Sequence, residues 1–542
     1  MVMKGPVLVL GATLSACAGG AGDPYDYKEL VTTASHPVEV RKGLFDFGKD
    51  AIGWLELTGA PVGPYEIVLG EMTNAAGCVA NPYPKATIRT HRLSGTMAAS
   101  PHVVIVPKDR LNTTGWDPKA PPVPPPPHFP VTTAFRYVEV VSSGRPLAAA
   151  DLVRQMVHYP IDMTQSSFAC DNAVLNEVYD FCKYSVLATS FCGVYVDGDR
   201  ERTPYEADAY VNQLCQYAID ADGSLARKSH EWLLEHPTWP TEWKQLSITM
   251  AWTDWMWTGD TRSLAKNYGR LQNRLVGNSP RRDIVDWPAC ERDGFVMTNS
   301  NAVVDALNCR NLVELAEIAA ALGKAADAAR YRAGAQTAKA KFVTDYLDRE
   351  TGLFVDSVEV RHSSLHANAA ALAFGLVPVE RMDGVAAFLE RKGMACSVYF
   401  AQFLLDALFA ADRADAAIRL MSATGVRSWK AMIDFGATIT MEAWDMKVKP
   451  NQDLNHMWSG VPLNMIARQV LGVTPLEPGF AKISIRPKVG GLKSVKGVVP
   501  TAKGPVAVAV DGEGLSVTVP APAEVLWRGS VRTVGPGTHV FK

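Results

Sequence analysis

The sequence predicts a multidomain α and β chain in which an (α/α)6 barrel is flanked by an N-terminal and a C-terminal β-sandwich domain. Three observations predict it. A chain of 542 residues with 47% hydrophobic content can hold two to four domains and at least one large core. Strand-like text occupies both ends, whereas helical periodicity takes over at FACDNAVLNEVYDFCKYS and persists to about residue 472. Several of those helical segments, such as NAVVDALNCRNLVELAEIAAALG, are apolar on more than one side and so must be covered by neighbours, as in an inner ring.

Taken in order, residues 1–22 open with one Lys, a short apolar run and LSAC, the order of a bacterial lipoprotein leader. The expectation is export to the periplasm or outer membrane of a bacterium, with any membrane attachment made through a lipidated Cys17. The run is too short to cross a bilayer as a helix. Residues 23–160 read as the first β-sandwich: YEIVLGEM and FRYVEVVS carry β-branched and aromatic residues between Gly, Pro and Asn punctuation. Inside it, DPKAPPVPPPPHFP (117–130) admits neither helix nor central strand and is a polyproline excursion. Residues 161–474 hold twelve helical segments, at 173–190, 210–221, 223–237, 243–259, 261–276, 300–323, 325–348, 362–376, 380–393, 398–411, 413–424 and 455–472. No fixed-period repeat supports the competing two-layer solenoid. Residues 475–542 return to strands, with AKISIRPKV, VAVAVDG, LSVTVP, EVLWRGS and THVFK alternating around Gly turns.

A formal net charge of −2 leaves no basic footprint for nucleic acid. The eight cysteines after Cys17 are scattered without a CxxC pair, which argues against a zinc site or a disulfide scaffold. The chemistry concentrates in YVDGDRERTPYEADAY. From Asp197 to Asp208 seven of twelve residues are charged, in a chain that is 20% charged overall. An EF-hand loop fails because Arg202 stands where the turn needs Gly, and Arg200 puts positive charge between the would-be ligands. A solvated loop fits the composition, but the run lies between apolar and aromatic text. The third reading is the floor of a polar site in which a carboxyl such as Glu201 holds a proton: burial raises its pKa and an adjacent Arg lowers it. Hydrolysis of a glycosidic bond needs a second carboxylate. The best candidate is Glu442 in FGATITMEAWDMKVKPNQDLNHMWSG, with Trp444, Asp445 and His456 nearby. By spacing alone that stretch reads as an edge strand with exposed acids and a core or capping histidine.

The chain resembles the α-L-rhamnosidases of glycoside hydrolase family 78, and the resemblance runs in order along most of it. FDFGKDAIGWLEL and FRYVEV resemble the sandwich before the family's six-hairpin barrel, and FACDNAVLNEVYDFCKYS its opening helix. ERTPYEADA resembles the acid motif. GATITMEAWD, LNHMWSGVP and LEPGFAKISIRP resemble the base motif, the His loop and the exit into the last β-domain. The resemblance implies an inverting exo-hydrolase that releases terminal α-L-rhamnose, with Glu201 as general acid and Glu442 as general base. Asp197 and Asp208 take the motif's other acids, and Trp243, Trp287 and His456 line the pocket. Arg200, Tyr205 and Trp444, beside those motifs, are assigned to substrate binding with them. The implied partners are rhamnose-containing oligosaccharides, polysaccharides or plant glycosides. No cofactor is called for, no metal ligand is assigned, and a bound Ca²⁺ is compatible but not indicated. The chain departs from the family pattern at Arg200 (usually Asp), Pro204 (usually Gly) and Tyr205 (usually Trp). These departures keep two alternatives open: another terminal deoxy- or uronic sugar, bound through Arg200 or Arg202, and a non-catalytic carbohydrate-binding relative. A lyase on the same toroid would leave Glu201 and Glu442 without a role.

Overall fold

The computed structural model describes residues 23–109, 111, 121–238, 241–276 and 284–542. The leader with Cys17, and residues 117–120 of the proline-rich stretch, lie outside the described residues.

The N-terminal domain is built from β1 (Val31–Ser35), β2 (Val38–Arg41), β3 (Leu44–Leu57), β4 (Gly63–Gly70), β5 (Thr90–Met97), β6 (His102–Val103), β7 (Thr133–Ser143) and β8 (Leu152–His158). All pair antiparallel in the order β1-β8-β3-β7-β4-β5, with β2 and β6 also on β3. The strands form one hydrogen-bonded network instead of two separate sheets. The cause is β3, whose 14 residues pair with β2 and β7 at the start and with β6 and β8 at the end. Its register on β7 shifts between Asp46 and Ala51, and such an irregularity bends a strand enough to turn a sheet over its own core. Phe45, Leu55, Ile67, Leu69, Phe135 and Val138 fill that core.

β9 (Ser167–Cys170) leads into the helices: α1 (Ala173–Ala188), α2 (Glu206–Tyr217), α3 (Ser224–Glu235), α4 (Thr241–Thr258), α5 (Arg262–Gln272), α6 (Ala302–Ala321), α7 (Ala325–Tyr346), α8 (Leu365–Ala373), α9 (Met382–Lys392), α10 (Ala401–Ala410), α11 (Ala414–Met421), α12 (Trp429–Asp434) and α13 (Val461–Met465). Contacts run from α2 to α4, α6, α8, α10 and α13, and α13 returns to α2, closing a ring. Outside it, α1 packs on α13 and α2, α3 and α5 on α4, α7 on α6, α9 on α8, and α11 on α10. The burial follows the two layers. Every residue of inner α2 is buried, whereas outer α7 buries Ala328, Tyr331, Ala335, Phe342 and Tyr346, a single stripe at helical spacing.

Three details differ from the sequence reading. Helix α2 begins at Glu206 rather than at 210, because Pro204 stops the preceding loop and Glu206 and Asp208 suit the positive end of a first turn. The short α12 was not expected, although Ser428 caps it by accepting the Ala431 N–H. The segment 455–472 divides into a 3₁₀ turn, α13 and a π turn at Ile466–Val470.

The C-terminal domain has β10 (Val473–Pro475), β11 (Ile483–Ile485), β12 (Val495–Val499), β13 (Val506–Asp511), β14 (Gly514–Val519), β15 (Ala523–Trp527), β16 (Ser530–Val534) and β17 (Gly537–Phe541). They form two sheets, β10-β11-β15-β16 and β17-β14-β13-β12-β9. The second is completed by β9, from the chain before the barrel. At the other end of the molecule's covalent order, Asp23 pairs with Arg262 at 2.5 Å. Tyr25 lies 4.9 Å from each of Arg227 and Arg262 and donates to Glu231 at 2.8 Å. This strap crosses the barrel where α4 ends.

Candidate active site

The N-terminal ends of the inner helices gather at one end of the barrel. There Trp243 of α4 meets Tyr399 before α10 and Trp458 before α13. A cavity of about 310 Å³ opens between them. Two loops build its polar floor, one from α1 to α2 and one from α12 to α13.

The first loop closes on itself. The Asp197 N–H donates to the Thr203 carbonyl at 3.0 Å, the Thr203 N–H returns to Asp197 Oδ1 at 2.9 Å, and the Arg202 N–H donates to the Gly198 carbonyl at 3.0 Å. Arg202 takes a left-handed φ of 53°. Gly198 is required by contact: a Cβ there would stand 2.5 Å from Asp453 Oδ2 and 2.7 Å from the Asn455 carbonyl. Arg202 points away from the cavity and, with Arg89, clamps Asp199, each at 2.5 Å. Those two guanidiniums hold the Asp199 carboxyl below its usual range, although burial alone would raise it.

Arg200 joins the loops. Its Nη2 stands 2.9 Å from Glu201 Oε1 and 2.7 Å from Glu442 Oε1. The same Glu442 oxygen meets Lys449 Nζ at 3.0 Å. Glu201 Oε2 accepts from the Tyr205 hydroxyl at 2.8 Å. His456 bridges Asp208 (Nε2, 2.9 Å) and Asp453 (Nδ1, 3.2 Å). Burial raises the Glu201 carboxyl, with Arg200 and Tyr205 pulling it partway back. Burial and the neighbouring Glu201 push Asp197 well above the ordinary carboxyl range. His456 is raised despite its burial, by Asp453 and Asp208, so it stands as an imidazolium between two carboxylates.

Of the ten residues singled out from sequence, nine line this cavity: Asp197, Arg200, Glu201, Tyr205, Asp208, Trp243, Trp287, Glu442 and His456. Trp444 does not. It is 1% exposed, sits edge-on 5.1 Å from Trp429 of α12, and donates its indole N–H to the Cys396 carbonyl at 2.7 Å. The stretch after Glu442 turns Trp444 into the core that α12 covers, so the unexpected helix explains the misplaced tryptophan. Ile284, Lys449, Asn451 and Trp458 complete the lining. Lys449, Asn451 and Trp458 lie within the same stretch as Glu442 and His456, so proximity to that motif was the available signal; Ile284 carried none.

Glu442, Asp453 and His456 bring ligand-type atoms within 4.8 Å of one another. The donor set does not fit a metal: Arg200 and Lys449 already neutralise Glu442, and His456 holds its proton between Asp208 and Asp453. Among the described residues, each cation lining the cavity has a carboxylate partner. Arg202, the other candidate for binding a uronic sugar, is engaged outside it.

Residues 163–470 match the family model of the bacterial alpha-L-rhamnosidase 6 hairpin glycosidase domain, and residues 472–528 that of the bacterial alpha-L-rhamnosidase C-terminal domain. An alpha-L-rhamnosidase of Alteromonas sp. (strain LOR) is 25% identical over 444 residues, covering 71% of this chain and 47% of that protein. One from Streptomyces avermitilis is 24% identical over 284 residues, covering 49% and 27%. The chain thus spans less than half the length of these curated relatives. In fold it is similar to an alpha-L-rhamnosidase from Dictyoglumus thermophilum, with TM-score 0.74 and 19% identity over 94% of this chain and 63% of that one. It is equally similar to a Streptomyces avermitilis alpha-L-rhamnosidase complexed with L-rhamnose, with TM-score 0.74 and 18% identity over 94% and 53%.

Proposed function

The chain belongs to the bacterial α-L-rhamnosidase six-hairpin glycosidase family, and from that premise we propose that it hydrolyses glycosides ending in α-L-rhamnose. Glu201 is the general acid and Glu442 the general base. The observation that carries this reading is the meeting of Glu201 and Glu442, far apart in sequence, on one Arg200 nitrogen in a single cavity.

Glu201, raised by burial, holds a proton to give to the departing glycosidic oxygen. Glu442, flanked by Arg200 and Lys449, takes a proton from the water that attacks the anomeric carbon on the opposite face. Asp197, pushed toward its protonated form, and Asp208, held by the His456 imidazolium, offer a donor and acceptors for ring hydroxyls. Trp243, Trp287, Trp458 and Ile284 give the apolar wall that a sugar face and a C6 methyl group need. The paired state of every lining cation favours a neutral sugar over a uronic one. The substrates are rhamnose-containing oligosaccharides, polysaccharides or glycosides, like the L-rhamnose named with the Streptomyces avermitilis relative.

A second reading, retention through a glycosyl ester on Glu442, is favoured by one distance. The Glu201 and Glu442 Oε1 atoms can be no farther apart than contacts of 2.9 Å and 2.7 Å laid end to end. That is shorter than the roughly 6.5–9.5 Å of inverting pairs and near the roughly 5–5.5 Å of retaining ones.

Hydrolysis of p-nitrophenyl α-L-rhamnopyranoside, followed by proton NMR, tests both readings. Wild type should turn over, and Glu201→Gln and Glu442→Gln should each lower kcat by at least about 100-fold. First appearance of β-L-rhamnose supports inversion, and α-L-rhamnose supports retention. Turnover that survives either substitution means that other carboxylates act.

A further inference from the structure

The two loops that carry Glu201 and Glu442 are held together by a third piece of chain, the connection from β4 to β5 in the N-terminal domain (residues 71–89). Arg89 donates from Nε to Asp199 Oδ2 at 2.5 Å and from Nη2 to the Asp199 carbonyl at 2.9 Å. Asp199 immediately precedes Arg200. Glu71 accepts the Arg89 N–H on Oε2 at 2.5 Å and the Asn455 side-chain amide on Oε1 at 3.2 Å. Asn455, next to His456, accepts the Asp199 N–H on its Oδ1 at 2.7 Å. Farther along, the Thr87 N–H donates to the Gln452 carbonyl at 3.0 Å. The Gln452 side chain in turn accepts from Ala443, the neighbour of Glu442, at 3.0 Å.

We infer that Arg89 and Glu71 are positioning residues for the hydrolysis: by fixing the Asp199–Asn455 junction they set the span across which Arg200 meets Glu201 and Glu442. The inference rests on the proposed roles of those two carboxylates. Neither Arg89 nor Glu71 lines the cavity, so both act through the junction. Simple adhesion between domains does not require such groups. Asp199 is 1% exposed and is held as a carboxylate by Arg89 and Arg202, and burying such a charged group costs enough that apolar packing at a domain contact usually serves stability as well. A forked guanidinium on both the side chain and the main chain of one residue instead fixes orientation. Gly198 adds the reason that orientation matters: the acid loop already touches Asp453 and Asn455 with no room for a methyl group.

The test compares full-length wild type, Arg89→Met, Arg89→Lys and Glu71→Gln on p-nitrophenyl α-L-rhamnopyranoside, with melting temperature measured alongside. Arg89→Met should lower kcat by up to about 100-fold while KM stays within about twofold, and Arg89→Lys should recover part of the loss. Glu71→Gln has one acceptor where two are used, so kcat should fall several-fold. It decides the matter if Arg89→Met does not fold. Folded Arg89→Met or Glu71→Gln with wild-type kcat, or a loss seen only in melting temperature, overturns the inference. If wild type ignores the rhamnoside but cleaves another terminal glycoside, only the substrate reading fails, and the variants are compared on that glycoside. A wild type that cleaves none overturns both.

Discussion

Both oxygens of Glu201 face a donor in the resting site, Arg200 at Oε1 and Tyr205 at Oε2. Each favours the carboxylate, against burial, which favours the acid and wins. A general acid works only while protonated, so on the role proposed for Glu201 activity falls as pH rises through its pKa, and its raised pKa extends the working range upward. Tyr205→Phe removes one of the two opposing donors. The basic limb of kcat/KM against pH should therefore move to higher pH in that variant; a limb that stays or moves lower would show that Glu201 is not the group titrating there. At this scale the sequence was most informative where motif residues stand close together. Asp197, Glu201 and Asp208 could be read as one cluster because twelve residues contain them. Arg89 could not, since its partner Asp199 lies 110 residues away and nothing local distinguishes it from any other arginine. The sequence reading assigned Trp444 to the pocket and passed over Trp458; the structure reverses the two, with Trp444 packed against α12 and Trp458 lining the cavity.

At the scale of elements, the acid loop depends on a residue without a side chain. Gly198→Ala would force its new methyl against Asp453 and the Asn455 carbonyl, displacing Arg200 and Glu201 from Glu442. We expect kcat to fall by about 10- to 100-fold with the protein still folded, measured by steady-state kinetics and circular dichroism; unchanged kcat would mean that the loop spacing is slack. The helices themselves were legible because burial leaves a periodic trace. α1 to α11 fall on predicted segments, and even α7 shows its stripe. What the periodicity missed is short. α12 has six residues, too few for a repeat to show, and the chain around α13 changes helix type twice within one predicted segment. In the N-terminal domain the strands were readable, but their joining into one network follows from the pairing of β3 at both ends, a non-local fact.

At the scale of the whole molecule, one apolar cluster runs from the barrel into the C-terminal sandwich: Leu463, Val470 and Leu471 join Ile483, Val508 and Val517 without a break. β9, which precedes α1, is paired to β12 of that sandwich from Ser167 to Cys170. Barrel and sandwich are thus tied at both ends of the barrel's chain. The N-terminal sheet has a core of its own and meets the barrel through smaller apolar clusters, Ile52, Trp54 and Val157 against Phe191 and Val194, and Ala51 and Met156 against Ala188 and Ile439. Differential scanning calorimetry should show a single transition for barrel and C-terminal sandwich together. Two resolved transitions assigned to those parts by limited proteolysis would contradict the shared core. The three-domain order was visible in composition, but this fusion was not, because nothing in SFAC marks it as the partner of Val495–Val498, far downstream in the chain.

The strap from Asp23 to Tyr25 fixes a polarity. It grips the barrel where α4 ends, whereas Trp243 stands at the mouth, roughly 20–25 Å away along the same helix. A scaffold fused directly to Asp23, in place of residues 1–22, is therefore held at the foot of the barrel. On such a support the cavity would open toward the surrounding liquid and away from the point of attachment.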